Sequence, residues 1–210
     1  LGYEALTACT GARNVGLGWK AGDSITTGEK NVAIGGAAGH AITTGSQNIA
    51  IGNDAMVSMT TGSNNIAIGE QASYSISDRS GVTAVGYYAN NKSTGQYNTA
   101  VGYQAGMGGA GATHHNNTVI GYNALEVTTT GSWNCAFGVS ALKANTTGET
   151  NVSIGFESLV ANTTGNGNHA IGYKALEENT TGGYSIAIGQ EALEANNGSD
   201  NIAIGFRAGE

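Results

Sequence analysis

The side chains best suited to ligate a metal or to act as nucleophile or base are few: His40, His114, His115 and His169, with Cys9 and Cys135. Imidazole and thiolate are strong transition-metal donors, so a cluster of them would mark a metal or catalytic centre. Only His114 and His115 are adjacent, beside the Gly-rich stretch 106–112, and the four histidines share no common position in the pattern described below. In a rotationally symmetric assembly a His near the axis would be multiplied and could hold a metal; in one chain the pair reads as a polar insertion. The carboxylates Glu126, Glu177, Glu178 and Glu194 fall on one solvated edge. The chain carries no Gly-Lys-Ser/Thr phosphate loop and no Gly-Gly-x-Gly-x-Asp calcium repeat. The expectation is therefore no catalysis, no cofactor and no metal.

Recognition is the other chemistry on offer. Aromatic residues recur at one position: Tyr3, Trp19, Tyr87, Tyr103, Tyr122, Phe156, Tyr173 and Phe206. Aromatic side chains combine apolar area with a polar tip, so such a stripe suits sugar rings or packing between chains. The irregular segment 74–91 and the insertion before His114 are the places for variable loops, which commonly carry recognition on a rigid scaffold. Tyr74, Tyr87, Tyr103, His114, His115 and Tyr122 are accordingly the candidate receptor- or glycan-binding residues.

What must position these residues is a repeat. A unit near T-T-G-x-x-N-I-A-I-G-x-x-A-L recurs along the whole chain, marked by Gly2, Gly18, Gly35, Gly52, Gly69, Gly86, Gly102, Gly121, Gly138, Gly155, Gly172, Gly189 and Gly205. Eight of the twelve spacings are 17 residues, three are 16 and one, Gly102 to Gly121, is 19. Such periodicity predicts one stacked array, residues 1–210, with irregular coils near 70–118. The repeat is entered and left mid-unit, so a segment of a longer protein is expected.

Within a unit, Asn48-Ile49-Ala50-Ile51 alternates and is β-branched, which predicts a short strand. Ile49 and Ile51 share one face, Asn48 and Ala50 the other. The expectation is that the bulky face fills the coil while the Ala face lies against a neighbouring chain about a symmetry axis. Asn14, Asn31, Asn48, Asn65, Asn98, Asn117, Asn134, Asn151, Asn168 and Asn201 hold one position and predict a structural amide ladder. Thr-Gly corners supply the turns.

Composition fits a backbone ladder: 35 Gly, no Pro, 11% charged residues. A net charge of −7 with eight Lys and Arg argues against phosphate-backbone binding, so no nucleic-acid partner is expected. No stretch is apolar enough to insert in a membrane. Cys9 and Cys135 lie seven to eight coils apart, roughly 35 Å at one strand spacing, too far for a bridge within one chain.

The Asn-Ile-Ala-Ile-Gly core resembles the repeats of trimeric autotransporter adhesin heads. The fuller unit Thr163-Thr164-Gly165-Asn166-Gly167-Asn168-His169-Ala170-Ile171-Gly172-Tyr173-Lys174-Ala175-Leu176 is similar to repeats of bacteriophage tail fibres and related bacterial surface proteins. The resemblance covers the whole chain and implies a left-handed, homotrimeric β-roll on a virion or cell surface. Adhesin-head units are usually shorter than 17 residues, which makes the Thr-Thr corner an extended loop. The expected fold is all-β: a parallel β-roll or solenoid of about twelve 17-residue coils, roughly 55–60 Å long. The expected function is a structural or adhesive extracellular fibre segment presenting loops to a cell-surface glycan or protein receptor. Two alternatives are an ice-binding solenoid using the Thr pairs 26–27, 43–44, 60–61, 129–130, 146–147, 163–164 and 180–181, and a glycan-cleaving fibre with paired carboxylates.

Overall fold

A computed structural model describes residues 2–210. It is an all-β parallel solenoid: twelve three-residue strands, one per coil, paired strictly in sequence order as one sheet. The strands are β1 Val15–Leu17, β2 Val32–Ile34, β3 Ile49–Ile51, β4 Ile66–Ile68, β5 Thr83–Val85, β6 Thr99–Val101, β7 Thr118–Ile120, β8 Cys135–Phe137, β9 Val152–Ile154, β10 His169–Ile171, β11 Ile186–Ile188 and β12 Ile202–Ile204. Every pairing keeps equivalent positions of the repeat in register, so Ile49, Ala50 and Ile51 sit over Ile66, Ala67 and Ile68. The 16- and 19-residue units keep the same register, because their length changes fall in the corners.

The ladder continues around the corners. Ile49 N–H donates to the Asn65 carbonyl at 2.8 Å in the next coil, and Gly52 N–H to the Ile34 carbonyl at 2.7 Å in the preceding one. A proline almost anywhere would remove one of these donors. The bends come from left-handed backbone: Gln47, Asp54 and Met56 have φ of 59°, 53° and 51°, and equivalents recur coil after coil. Each such residue carries strain of the order of 1 kcal/mol, held in place by the stacked neighbours.

The marker glycine has a separate cause. At Gly52 φ is 130°, and a Cβ would lie 2.5 Å from the Gly69 carbonyl oxygen of the next coil. Two backbones touch there at every level, so no side chain fits.

The strand faces are reversed relative to the sequence expectation. Ala33, Ala50, Ala67, Ala84, Ala136 and Ala187 are fully buried inside the coil, and Asn48 is buried on the same side. The branched aliphatics point outward: Ile68, Ile120, Ile154 and Ile188 are each more than a third exposed. The reason is the width of the interior. A Cβ built on Gly106, across the coil, would stand only 3.5 Å from the Ala100 Cβ, so nothing larger than Ala fits at most strand centres. The remaining core volume is filled from the corners by Ile25, Ile42, Met56, Met59, Leu125, Leu142, Leu159 and Leu176.

Candidate functional site

The asparagines form a continuous internal structure in two runs. Asn31 Oδ1 accepts the Asn48 N–H at 3.0 Å and the Asn48 amide at 3.1 Å, while Asn48 Nδ2 also donates to the Gly62 carbonyl at 2.9 Å. The amide therefore ties a strand to its own stack and to the turn of the next coil. The run Asn14 to Asn65 ends where Asn65 Oδ1 accepts from Val82 N–H. The run Asn98 to Asn168 ends at Ser185, whose hydroxyl accepts the Asn201 N–H at 3.2 Å. A second buried column went unread in the sequence: Asn162 Nδ2 donates to Asn145 Oδ1 at 2.9 Å and Asn179 Nδ2 to Asn162 Oδ1 at 3.0 Å. Its signal was available, since Asn-Thr-Thr-Gly recurs at 145–148, 162–165 and 179–182.

The Thr pairs divide their work. Thr129, Thr146 and Thr163 each donate the hydroxyl to the carbonyl one coil on, at 3.0 Å. The Thr146 carbonyl also receives the N–H groups of Thr129, Thr130 and Gly131 at 2.8, 3.2 and 3.2 Å. The second Thr of each pair, such as Thr147, Thr164 and Thr181, is exposed, while the first is half-buried in every pair but Thr26-Thr27. That row is interrupted between Thr61 and Thr130.

The candidate recognition residues do not form one site. His114, expected on a receptor-facing loop, is 1% exposed and packs inside the coil. It stands where other units carry the turn glycine: Asn98 Nδ2 donates to its carbonyl just as Asn48 Nδ2 donates to that of Gly62. Its ring occupies the space left by the small Ala112, which replaces the buried Ile or Met of other coils. Nδ1 lies 3.2 Å from the Asn117 amide and Nε2 has no partner. Burial, with His115 beside it, lowers its pKa to about 4. His115 is half-buried, and its Nδ1 accepts the Gln96 N–H at 3.1 Å, the task done by the hydroxyls of Ser46, Ser63 and Ser132 elsewhere. Tyr74 stands alone on the outside of its corner.

Tyr87, Tyr103 and Tyr122 do come together. Their ring centroids are 5.2 and 5.1 Å apart with planes 10° and 12° from parallel; Phe156 and Tyr173 repeat the arrangement at 5.4 Å. The column is exposed, yet its ring faces are turned on one another. A sugar stacking on this stripe would meet ring edges and hydroxyls, not π faces.

Charged groups pair between adjacent coils. Lys20 reaches Glu4, His40 reaches Asp23, Lys143 reaches Glu126, and Arg207 reaches Glu191 at 2.6 Å. Hydrogen bonds from Gln190 and Arg207 hold the Glu191 carboxyl below its usual range, while a shared hydrogen bond with Glu177 raises that of Glu194. Glu191, Glu194 and Glu210 approach one another, and Arg207 pairs with Glu191 and Glu210 of that group. Cys9 and Cys135 are both free thiols. Among the described residues there is no enclosed pocket, and no helix long and apolar enough to cross a membrane.

The largest unsatisfied feature is the outer face of the sheet. Its third-position column is apolar in every strand, from Leu17 through Ile51, Val85, Ile120 and Ile154 to Ile204. The first-position column is mostly Val and Ile, interrupted by Thr83, Thr99, Thr118, Cys135 and His169. Neither column contains an Asp, Glu, Lys or Arg residue. Partial burial among these aliphatics raises the Cys135 thiol above its ordinary value. Compared with protein-family models, with curated proteins and with solved structures, the chain gives no match.

Proposed function

We propose that the chain is a rigid structural segment of an extracellular fibre or adhesin, assembled as a homotrimer through the outer face of its sheet. The observation that carries this reading is the outer face of the sheet, whose third-position column is apolar along all twelve strands and which contains no Asp, Glu, Lys or Arg. Two columns of half-exposed aliphatics leave on the order of 1,000 Å² of contiguous apolar surface, above the ~300–600 Å² patch of an ordinary monomer and close to the ~800 Å² each partner contributes to a stable interface. A face about 50 Å long at one strand spacing per level needs a partner of equal length and period, which another copy of the chain supplies. Three copies follow from the resemblance of the repeat to trimeric adhesin and tail-fibre units.

In this reading the amide ladders and intercoil ion pairs stiffen the shaft, and recognition of a surface glycan or protein falls to the exposed corners and the tyrosine column. Light scattering on the purified chain tests the assembly: three times 21.0 kDa is the expected mass. A single-chain mass at micromolar concentration removes the reading. The ice-binding alternative rests on the exposed second-Thr row alone, because the first row spends its hydroxyls on the neighbouring coil. Unaltered ice-crystal growth in the presence of the chain would dismiss it.

A further inference from the structure

The Thr-Thr-Gly corners converge their donors on one oxygen of the next coil. The N–H groups of Thr129, Thr130 and Gly131 meet the Thr146 carbonyl, and those of Thr146, Thr147 and Gly148 meet the Thr163 carbonyl; the hydroxyl of the first Thr joins each set. Between the corners that precede β11 and β12 the acceptor changes. Thr180, Thr181 and Gly182 donate their N–H groups to the side-chain oxygen of Asn197, at 2.9, 3.0 and 3.3 Å. The Thr180 hydroxyl adds a fourth bond at 3.1 Å.

An amide oxygen that accepts four donors polarises its carbon, and the donors face the atom on which charge collects during nucleophilic attack. A nucleophile adjoins it in sequence. The nitrogen of Gly198 can close a five-membered ring on Asn197 Cγ, and Gly198 carries no Cβ to obstruct the approach. Its N–H bonds to the Asn196 side-chain oxygen at 2.7 Å and not to the backbone ladder, so a side-chain rotation frees it. Asn197 and Gly198 are both exposed, so water reaches them. The chain has one other Asn-Gly pair, Asn166-Gly167, which is held differently. Asn166 Oδ1 accepts the Glu149 N–H at 2.7 Å, and the Gly167 N–H is fixed to the Glu149 carbonyl at 3.0 Å.

We propose that Asn197-Gly198 is a self-modifying site, at which the nest of Thr180, Thr181 and Gly182 drives conversion of the asparagine to aspartate. The Gly198 nitrogen bonds to Cγ and gives up its proton. The Cγ–Nδ2 bond breaks, and Nδ2 leaves with that proton as ammonia, so a cyclic imide remains. Water then reopens the ring. Addition at the backbone carbonyl gives isoaspartate, the main product in free peptides. Addition at Cγ, whose oxygen lies in the nest, gives aspartate and keeps the chain path. The net change consumes one water, releases one ammonia and involves no oxidation. A carboxylate in the nest makes charge-assisted hydrogen bonds, which are stronger than those of the amide, so the joint between these two corners tightens once it has formed. The inference goes beyond the structural role proposed above and does not depend on the assembly.

The test ages the full chain in mildly alkaline buffer, folded or in urea, and maps its peptides by mass spectrometry with Asn166 as internal reference. In the folded chain Asn197 should convert roughly tenfold or more faster than Asn166, and chiefly to aspartate. In urea, where the nest is gone, the two sites should convert at similar rates and chiefly to isoaspartate. Thr180→Val removes one donor without touching either Asn-Gly pair, and should slow Asn197 about fivefold while Asn166 is unchanged. Conversion of folded Asn197 that is absent or no faster than that of Asn166 overturns the inference. So does isoaspartate as its main product, a preference for Asn197 that persists in urea, or an unchanged rate in Thr180→Val.

Discussion

Coils 2 and 3 share one backbone path with coils 4 to 6 but are filled differently. In the former, Ile42, Met56 and Met59 close the interior around Ala33 and Ala50, and the asparagine ladder runs unbroken. In the latter, Ser73, Asn90 and Ser93 take the equivalent interior places, the His114 ring fills the space left by Ala112, Val82 interrupts the ladder, and Thr83, Thr99 and Thr118 replace aliphatics on the outer face. Asn90 Oδ1 and His114 Nε2 are both buried without a partner. The contrast teaches that the path is set by the glycine contacts, the left-handed corners and the backbone ladder, while side-chain filling sets how firmly each stretch is held.

The sharpest break is at the shared element. Gly52→Ala puts a methyl 2.5 Å from the Gly69 carbonyl at positive φ, and should cost about 4 kcal/mol or more, abolishing the cooperative transition around coils 3 and 4. Gly111→Ala is the control in the irregular stretch. Its φ is 70° but nothing lies within 4 Å, so about 1 kcal/mol of backbone strain is expected. Denaturant melts of the two variants decide the point; equal losses would show that the glycine contact does not set the path.

The next effect is pH-dependent and local. His114 is neutral when buried, with its pKa lowered from 6.5 to about 4. Between these values the unfolded chain binds the extra proton, so stability is fully present above pH 6.5 and is lost as pH falls toward 4. The full loss is about 3 kcal/mol. Hydrogen exchange should accelerate around Thr94 to Asn117 as pH falls through this window, while coils 2 and 3 change little. His114→Phe should flatten the dependence.

Filling the softer region should bring it closer to the firmer one. Asn90→Leu, with Leu at the equivalent positions 125 and 142, removes a buried unpaired acceptor and should raise the unfolding free energy by about 1–2 kcal/mol in urea melts. The smallest change is Val82→Asn, which would join the two ladder runs across coils 4 to 6. A gain of about 1 kcal/mol is expected, and a loss would mean the ladder adds nothing beyond local turns.

Much of the architecture was legible because repetition is a one-dimensional signal. The spacing of Gly35, Gly52 and Gly69 carried the coil length, and Asn48 to Ile51 the strand. Which face turned inward was not legible from the same residues. Alternation states only that Ile51 and Ala50 oppose each other, and the habit of burying larger aliphatics picked the wrong side. The deciding quantity, the distance across a 17-residue coil, emerges only from the corner angles. His114 was misread for a related reason. The 19-residue unit hid that it occupies a glycine position, and only the carbonyl bond to Asn98 reveals the alignment. The tyrosine column was visible as a stripe, but the stacking that hides its faces depends on side-chain torsions that spacing does not encode.

The three 16-residue units all lack the second Thr of the corner, as in Cys9-Thr10-Gly11, Ser93-Thr94-Gly95 and Asn196-Asn197-Gly198, while every strand keeps its register. Because each level repeats the same contacts with the levels on either side, a tandem duplication or deletion of one whole unit would leave every column in line. Such a molecule can change length in quanta of about 4.8 Å with no new interface to invent. Its gene can therefore explore reach by recombination between near-identical units, and its surface by single substitutions, as two independent variables.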